Sequence, residues 1–167
     1  NRDFAAFVDA TGYRTDAERR GAGYVWDGNW RLVPGADWRH PDGPGTGIDR
    51  AAGHPVVQVS VNDAAAFCAW QGLRLPSEAE WEFAARGTDG RRFPWGNTAP
   101  SDGAAALANF GTIACCAADS GDGYLRTAPV GSYPAGASPF GHLDMAGNVW
   151  EWTGDRFPGQ PDQVALR

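Results

Sequence analysis

Acidic and amide side chains gather in two stretches of this sequence, and their chemistry is that of hard oxygen donors. In GHLDMAGNVWEWTGD, residues 141–155, Asp144 and Glu151 flank a Gly147-Asn148 pair. On an extended backbone Trp150 and Trp152 point to one face and Glu151 to the other. The tryptophans are therefore expected in a core or pocket wall, and the carboxylate on the opposite side. A tight turn at Gly147-Asn148 brings the two carboxylates together with backbone carbonyls. Such an oxygen-rich nest suits Ca2+, which takes about six to eight oxygen ligands. The plainer alternative pairs Glu151 with an arginine and uses Asp144 to cap a turn. The second stretch holds Asn109, Asp119 and Asp122 near a Gly-rich turn. It lacks the D-x-D-x-D-G order of a helix–loop–helix calcium site, and its plainer alternative is a solvated turn.

Soft ligands are scarcer. Three cysteines are a poor count for a disulfide framework, and none has zinc-site spacing. Cys68 lies in a helical pattern beside Trp70 and reads as a small buried hydrophobe. Cys115 and Cys116 are adjacent, so on an extended backbone their thiols diverge, which hinders joint ligation of one ion. His40, His54 and His142 are scattered among turn residues. The cluster Glu78, Glu80 and Glu82 suits a helix N-terminus better than acid–base chemistry.

The elements that must position these groups are few and short. The 167 residues suffice for one domain with a real core, and 23 Gly and 12 Pro spread along the chain imply much irregular structure. Phe4, Phe7 and Val8 recur at helical spacing, with Gly12 as the stop. TDAE at 15–18 has capping-box form. Short strands are expected at 23–26 and 29–33, and a further strand in HPVVQVS at 54–60. A helix follows with Asn62 as its cap and Gly72 at its end. LRLPSEAEWEFAARG predicts a helix opened by Ser77 and Glu80, closed by Gly87, with Trp81, Ala84 and Ala85 inward. QVALR reads as a strand. The result is an α+β domain that needs staples beyond its hydrophobic core, and metal ions are one way to supply them.

A net charge of −6 argues against nucleic acid and anionic membrane surfaces as partners. No apolar run approaches a membrane span and no signal-peptide pattern is visible, which favours a cytoplasmic setting if the protein is bacterial. Oligomeric state is left open.

LRLPSEAEWEFAARG, FPWGN, DGYLRTAPVGSYP and FGHLDMAGNVWEWTGD, in that order, resemble the formylglycine-generating enzyme (sulfatase-modifying factor) family. FVDATGYRTDAER, DWRHPDGPG and HPVVQVSVNDAAAFCAW extend the resemblance over nearly the whole chain. It implies a variant of the C-type lectin fold, low in regular structure and held by two calcium ions. Carried over residue by residue, one ion takes Asn109, the Phe110 carbonyl, Asp122 and the Tyr124 carbonyl. The other takes Asp144, the carbonyls of Gly147 and Val149, and Glu151. GTIACCAADS stands where relatives usually have a Trp-Gln-Gly segment.

The resemblance also implies an activity: oxygen-dependent conversion of a cysteine in a C-x-P-x-R sulfatase peptide to formylglycine, at a copper(I) ion held by two thiolates. Soft thiolates suit a soft ion. Asn1 resembles the Asn of an upstream V-T-N motif, and Arg167 the Arg of an R-G-G-S-type motif. Residues 1–167 are thus expected to be a single domain lacking its extreme N-terminal part and the C-terminal segment that carries the thiolate pair. The resemblance implies that Trp150 lines the active-site pocket, with a core position as its plainer alternative; Trp30 is a candidate contact for a peptide substrate, its plainer alternative being a loop tryptophan packed on its own domain. Two rival expectations share the fold: a non-catalytic ligand-binding module, as in retroelement-diversified variable proteins, and an iron-dependent relative of the sulfoxide-synthase kind.

Overall fold

In a computed structural model that describes residues 1–100, 107–110, 120–157 and 159–167, the chain forms two compact units, Asn1–Leu75 and Pro76–Arg167. In the first unit, helix α1 (Arg2–Thr11) buries its apolar stripe: Phe4, Phe7 and Val8 pack with Trp38, which is 1% exposed. The Phe4 and Trp38 rings meet edge-to-face at 5.2 Å, a favoured aromatic geometry. The short helix α2 (Asp16–Arg20) opens on the expected Thr15–Glu18 capping box. Strands β1 (Ala22–Trp26) and β2 (Trp30–Pro34) form an antiparallel hairpin that pairs Tyr24 with Leu32 and Trp26 with Trp30, close to the two strands read from sequence.

Two expectations fail in this unit. No strand forms at 54–60, because Gln58 takes a left-handed φ of 59° that breaks the extended run. Its amide donates to the carbonyls of Tyr24 at 2.8 Å and Pro41 at 2.7 Å, so the bend is held by hydrogen bonds that a continuous strand forgoes. Val56 and Val59 nevertheless reach the core. Helix α3 (Val61–Trp70) is capped by Ser60 in place of Asn62, through a reciprocal box with Asp63. Asp63, 0% exposed, also accepts from the Tyr13 hydroxyl and the Asp16 amide, both at 3.0 Å, and so satisfies the starts of α2 and α3 together. Asn62 instead donates to Asp16 at 3.2 Å.

In the second unit, α4 (Glu78–Arg86) has the Ser77–Glu80 capping box and ends at Gly87, as expected. Ala85 is buried and Trp81 and Ala84 are half-buried, while Phe83 stays exposed and packs against Phe140 with tilted rings 4.9 Å apart. A single 3-10 turn covers Pro134–Gly136. Strands β3 (Trp152–Phe157) and β4 (Gln160–Leu166) pair antiparallel with a bulge, which realises the QVALR strand. Gly154 donates to the Pro76 carbonyl at 2.7 Å, tying β3 to the approach of α4. The buried Thr153 hydroxyl donates to the Ala165 carbonyl at 3.0 Å. The remaining described residues of this unit are turns and irregular chain, as expected of an α+β chain with this Gly and Pro content. Among the described residues no helix is long and apolar enough to cross a membrane.

Candidate metal centre

The approach to the site is set by three residues in left-handed backbone: Asp144 (φ 58°), Gly147 (φ 82°) and Asn148 (φ 64°). Asp and Asn tolerate this region better than most side chains. At 147 only glycine fits, since a Cβ there would stand 2.4 Å from the Asn109 carbonyl oxygen. The turn is pressed onto residue 109: the Asn148 amide donates to the Asn109 carbonyl at 2.6 Å. Val149 donates to the Gly147 carbonyl at 2.9 Å.

The structure brings the first group of predicted ligands together. Asn109 is buried, and its side-chain nitrogen donates to the Arg126 carbonyl at 2.6 Å and to Asn148 Oδ1 at 3.2 Å. With the amide nitrogen committed, Oδ1 is the end available as a ligand. The Asp122 carboxylate accepts from the backbone amides of Phe110 at 2.7 Å and Tyr124 at 3.1 Å, so all four residues share one cluster. Asp119 lies outside the described residues.

Of the second group, Asp144 and Glu151 lie near each other, with Gly147 and Val149 in the stretch of chain between them. Asp144 Oδ2 accepts from the Gly131 amide at 2.7 Å. Glu151 Oε2 accepts from the Trp81 indole N–H at 2.6 Å, while its backbone exchanges hydrogen bonds with Arg167. Burial raises the Glu151 carboxyl above its usual range; the Trp81 hydrogen bond opposes this and the nearby Asp144 charge adds to it. The arginine partner of the plainer alternative is absent: among the described residues neither Asp144 nor Glu151 forms an ion pair with a basic side chain. A half-buried carboxylate beside a second one, without a cation, is an arrangement that a bound divalent ion relieves. The donors are all oxygens, which fits Ca2+. No group of three or more His, Cys, Asp and Glu side chains gathers among the described residues, so a cation here depends on amide and main-chain carbonyl oxygens as well.

One prediction concerns Glu151 directly. In chelator, Glu151→Gln should raise the melting temperature slightly, because glutamine keeps an acceptor for Trp81 and removes a charge that burial disfavours. The sign follows from a folded pKa above the unfolded one. The contribution is present at low pH and is lost as pH rises through the raised value. Thermal unfolding in chelator across pH checks it, and a less stable variant at neutral pH would contradict it.

Other expectations need correction. Trp150 is 75% exposed and precedes β3, which begins at Trp152, so the two tryptophans do not share a strand face in a core. The left-handed residues 147 and 148 delay the extended run. Trp30 is 67% exposed and packs on Trp26 at 5.3 Å. Cys68 is half-buried rather than fully buried, and burial pushes its thiol pKa up, away from the thiolate a copper ion needs. Cys115 and Cys116 lie outside the described residues. The described residues therefore offer no two-thiolate copper site. Sequence reading missed Asn148, Trp81 and Gly131, whose roles arise from contacts between distant segments.

Comparison with known proteins agrees with this architecture. Residues 1–166 match the family model described as "Sulfatase-modifying factor enzyme 1-like domain". The chain is 45% identical to a formylglycine-generating enzyme of Thermomonospora curvata, over 93% of this chain and 56% of that protein. It is 39% identical to the mouse inactive C-alpha-formylglycine-generating enzyme 2, over 100% of this chain and 59% of that protein. It is also 42% identical to a hercynine oxygenase of Mycolicibacterium thermoresistibile, over 92% of this chain and 33% of that protein. The structure of PvdO from Pseudomonas aeruginosa superposes with a TM-score of 0.62 at 30% identity, covering 95% of this chain and 54% of that one. The chain thus spans about half the length of the formylglycine-generating enzymes it matches. Its α+β architecture, low in regular structure, is the fold that the sequence motifs implied. The family match across both units, joined to these relatives, shows that the chain belongs to the sulfatase-modifying factor enzyme 1-like family.

Proposed function

We propose that the chain is the calcium-stabilised scaffold of a formylglycine-generating oxidase, which converts the cysteine of a C-x-P-x-R sulfatase peptide to formylglycine with oxygen and copper. The observation that carries this reading is the 45% identity to the Thermomonospora curvata enzyme over 93% of the chain. The assembled oxygen clusters support the scaffold part. Asn109, Asp122 and the carbonyls of Phe110 and Tyr124 hold one Ca2+; Asp144, Glu151 and the carbonyls of Gly147 and Val149 hold the other. Calcium supplies neutralising charge there and cross-links loops that little regular structure supports. In this reading the copper thiolates lie outside the described residues. The exposed Trp30 and Trp150 each offer apolar surface for a peptide, and the net charge of −6 favours a substrate bearing arginine.

A second reading is a non-catalytic binding module on the same scaffold. The relative named inactive, at 39% identity over the whole chain, favours it. The full-length protein, loaded with copper(I) and supplied with oxygen, should turn a C-x-P-x-R peptide into an aldehyde that reacts with a hydrazide probe. The same peptide with serine for cysteine should stay unlabelled. No aldehyde from the copper-loaded protein would favour the binding module.

A further inference from the structure

Asn148 is not among the implied ligands, yet it touches both sets. Its Oδ1 accepts from the Ala128 amide at 2.9 Å and from Asn109 Nδ2 at 3.2 Å, and its own Nδ2 donates to the Ala128 carbonyl at 3.3 Å. The Ala128 N–H can only donate, so the orientation of the Asn148 amide is fixed. Through Oδ1 it fixes the Asn109 amide in turn, with help from the Arg126 carbonyl, and leaves Asn109 Oδ1 for the first site. On the main chain, Asn148 sits between Gly147 and Val149, whose carbonyls belong to the second site. Its backbone N–H donates to the Asn109 carbonyl at 2.6 Å.

From these contacts we infer that Asn148 is a positioning residue that couples the two calcium sites, so that each is filled more tightly when the other is occupied. The inference rests on the calcium reading above. Its physical basis is pre-ordering. Asn tolerates a left-handed φ of 64° better than most side chains but does not favour it, so residues 147–149 draw on their hydrogen bonds and a bound ion to hold it. Ordering the Gly147 and Val149 carbonyls for one site fixes Asn148. A fixed Asn148 presents Oδ1 to Asn109, and the first site then meets a donor already oriented. Less ordering remains to be done at the second binding event, which is positive cooperativity, and linkage makes the effect reciprocal.

The test is calcium titration of the full-length protein by calorimetry, with Glu151→Gln disabling the second site. In an otherwise unaltered protein, this change should weaken the first site roughly tenfold, within the usual range of coupling between sites. Asn148→Gly removes the amide while glycine keeps the left-handed backbone without strain. In that background Glu151→Gln should leave first-site affinity unchanged, and Asn148→Asp, which keeps the Oδ1 acceptor, should restore the linkage. A tenfold loss that persists with glycine at 148 would overturn the coupling role while leaving the two calcium sites standing. No calcium binding by the unaltered protein would overturn both.

Hydrogen exchange keeps the question decidable if the glycine variant does not fold. One equivalent of Ca2+ added to the unaltered protein should slow the amides of Phe110, Tyr124 and Asn148 together. Slowing confined to one cluster would overturn the inference.

Discussion

Chelating calcium should lower the melting temperature of the protein by about 10 °C or more. A site kept at a thousandfold excess over its Kd stabilises by about 4 kcal/mol. In a protein of this size each kcal/mol is worth about 2–4 °C. The structural reason is specific to the second unit. Outside α4 and the β3–β4 hairpin, residues 107–110 and 120–151 are held by turns, one 3-10 turn and scattered hydrogen bonds. Without a bound cation, Asp144 and Glu151 are two half-buried carboxylates near each other, and the Asp144 charge disfavours ionisation of Glu151. A differential scan in calcium and in chelator measures the effect. Equal melting temperatures would show that hydrogen bonds alone hold these loops.

Gly147→Ala should be among the most damaging single changes, destabilising by about 3 kcal/mol and abolishing the second site. Two effects add. The backbone lies at φ 82°, where a side chain is strained, and the new Cβ would meet the Asn109 carbonyl oxygen at 2.4 Å. That atom is backbone and already bonded to Asn148, so it cannot swing aside as a flexible side chain does. Relief requires the 147–148 turn to lift from residue 109, which separates the two clusters. Urea unfolding with and without calcium reads both consequences. A variant with unchanged stability and two intact calcium equivalents would show that the turn moves freely.

Much of the scaffold was legible from local chemistry. The Thr15–Glu18 and Ser77–Glu80 boxes announced α2 and α4, and the Phe4, Phe7, Val8 stripe announced α1, because caps and apolar periodicity act within a few residues. The cap of α3 was misplaced at Asn62 although Ser60 and Asp63 have the same spacing as the other boxes; the sequence held the signal. The absent strand at 54–60 is different in kind. Its residues suit a strand, but Gln58 finds better partners in Tyr24 and Pro41, which no local pattern reveals. Trp150 differs from the expectation because alternation is applied from residue 150, whereas the extended run begins only at Trp152. At the metal centre, spacing alone favoured the plainer turn readings, and the long motifs carried the ligand assignment. The tertiary contacts then showed what motifs do not: Trp81 from α4 reaching Glu151, and Asn148 joining residues 109 and 128.

The central claim is a scaffold built on two calcium ions, and metal content tests it most directly. The purified protein should be dialysed to equilibrium against a calcium buffer and its bound metal counted by elemental analysis. The proposed reading predicts two calcium ions per chain, falling to one with Glu151→Gln. A protein that folds with no bound calcium would contradict the claim.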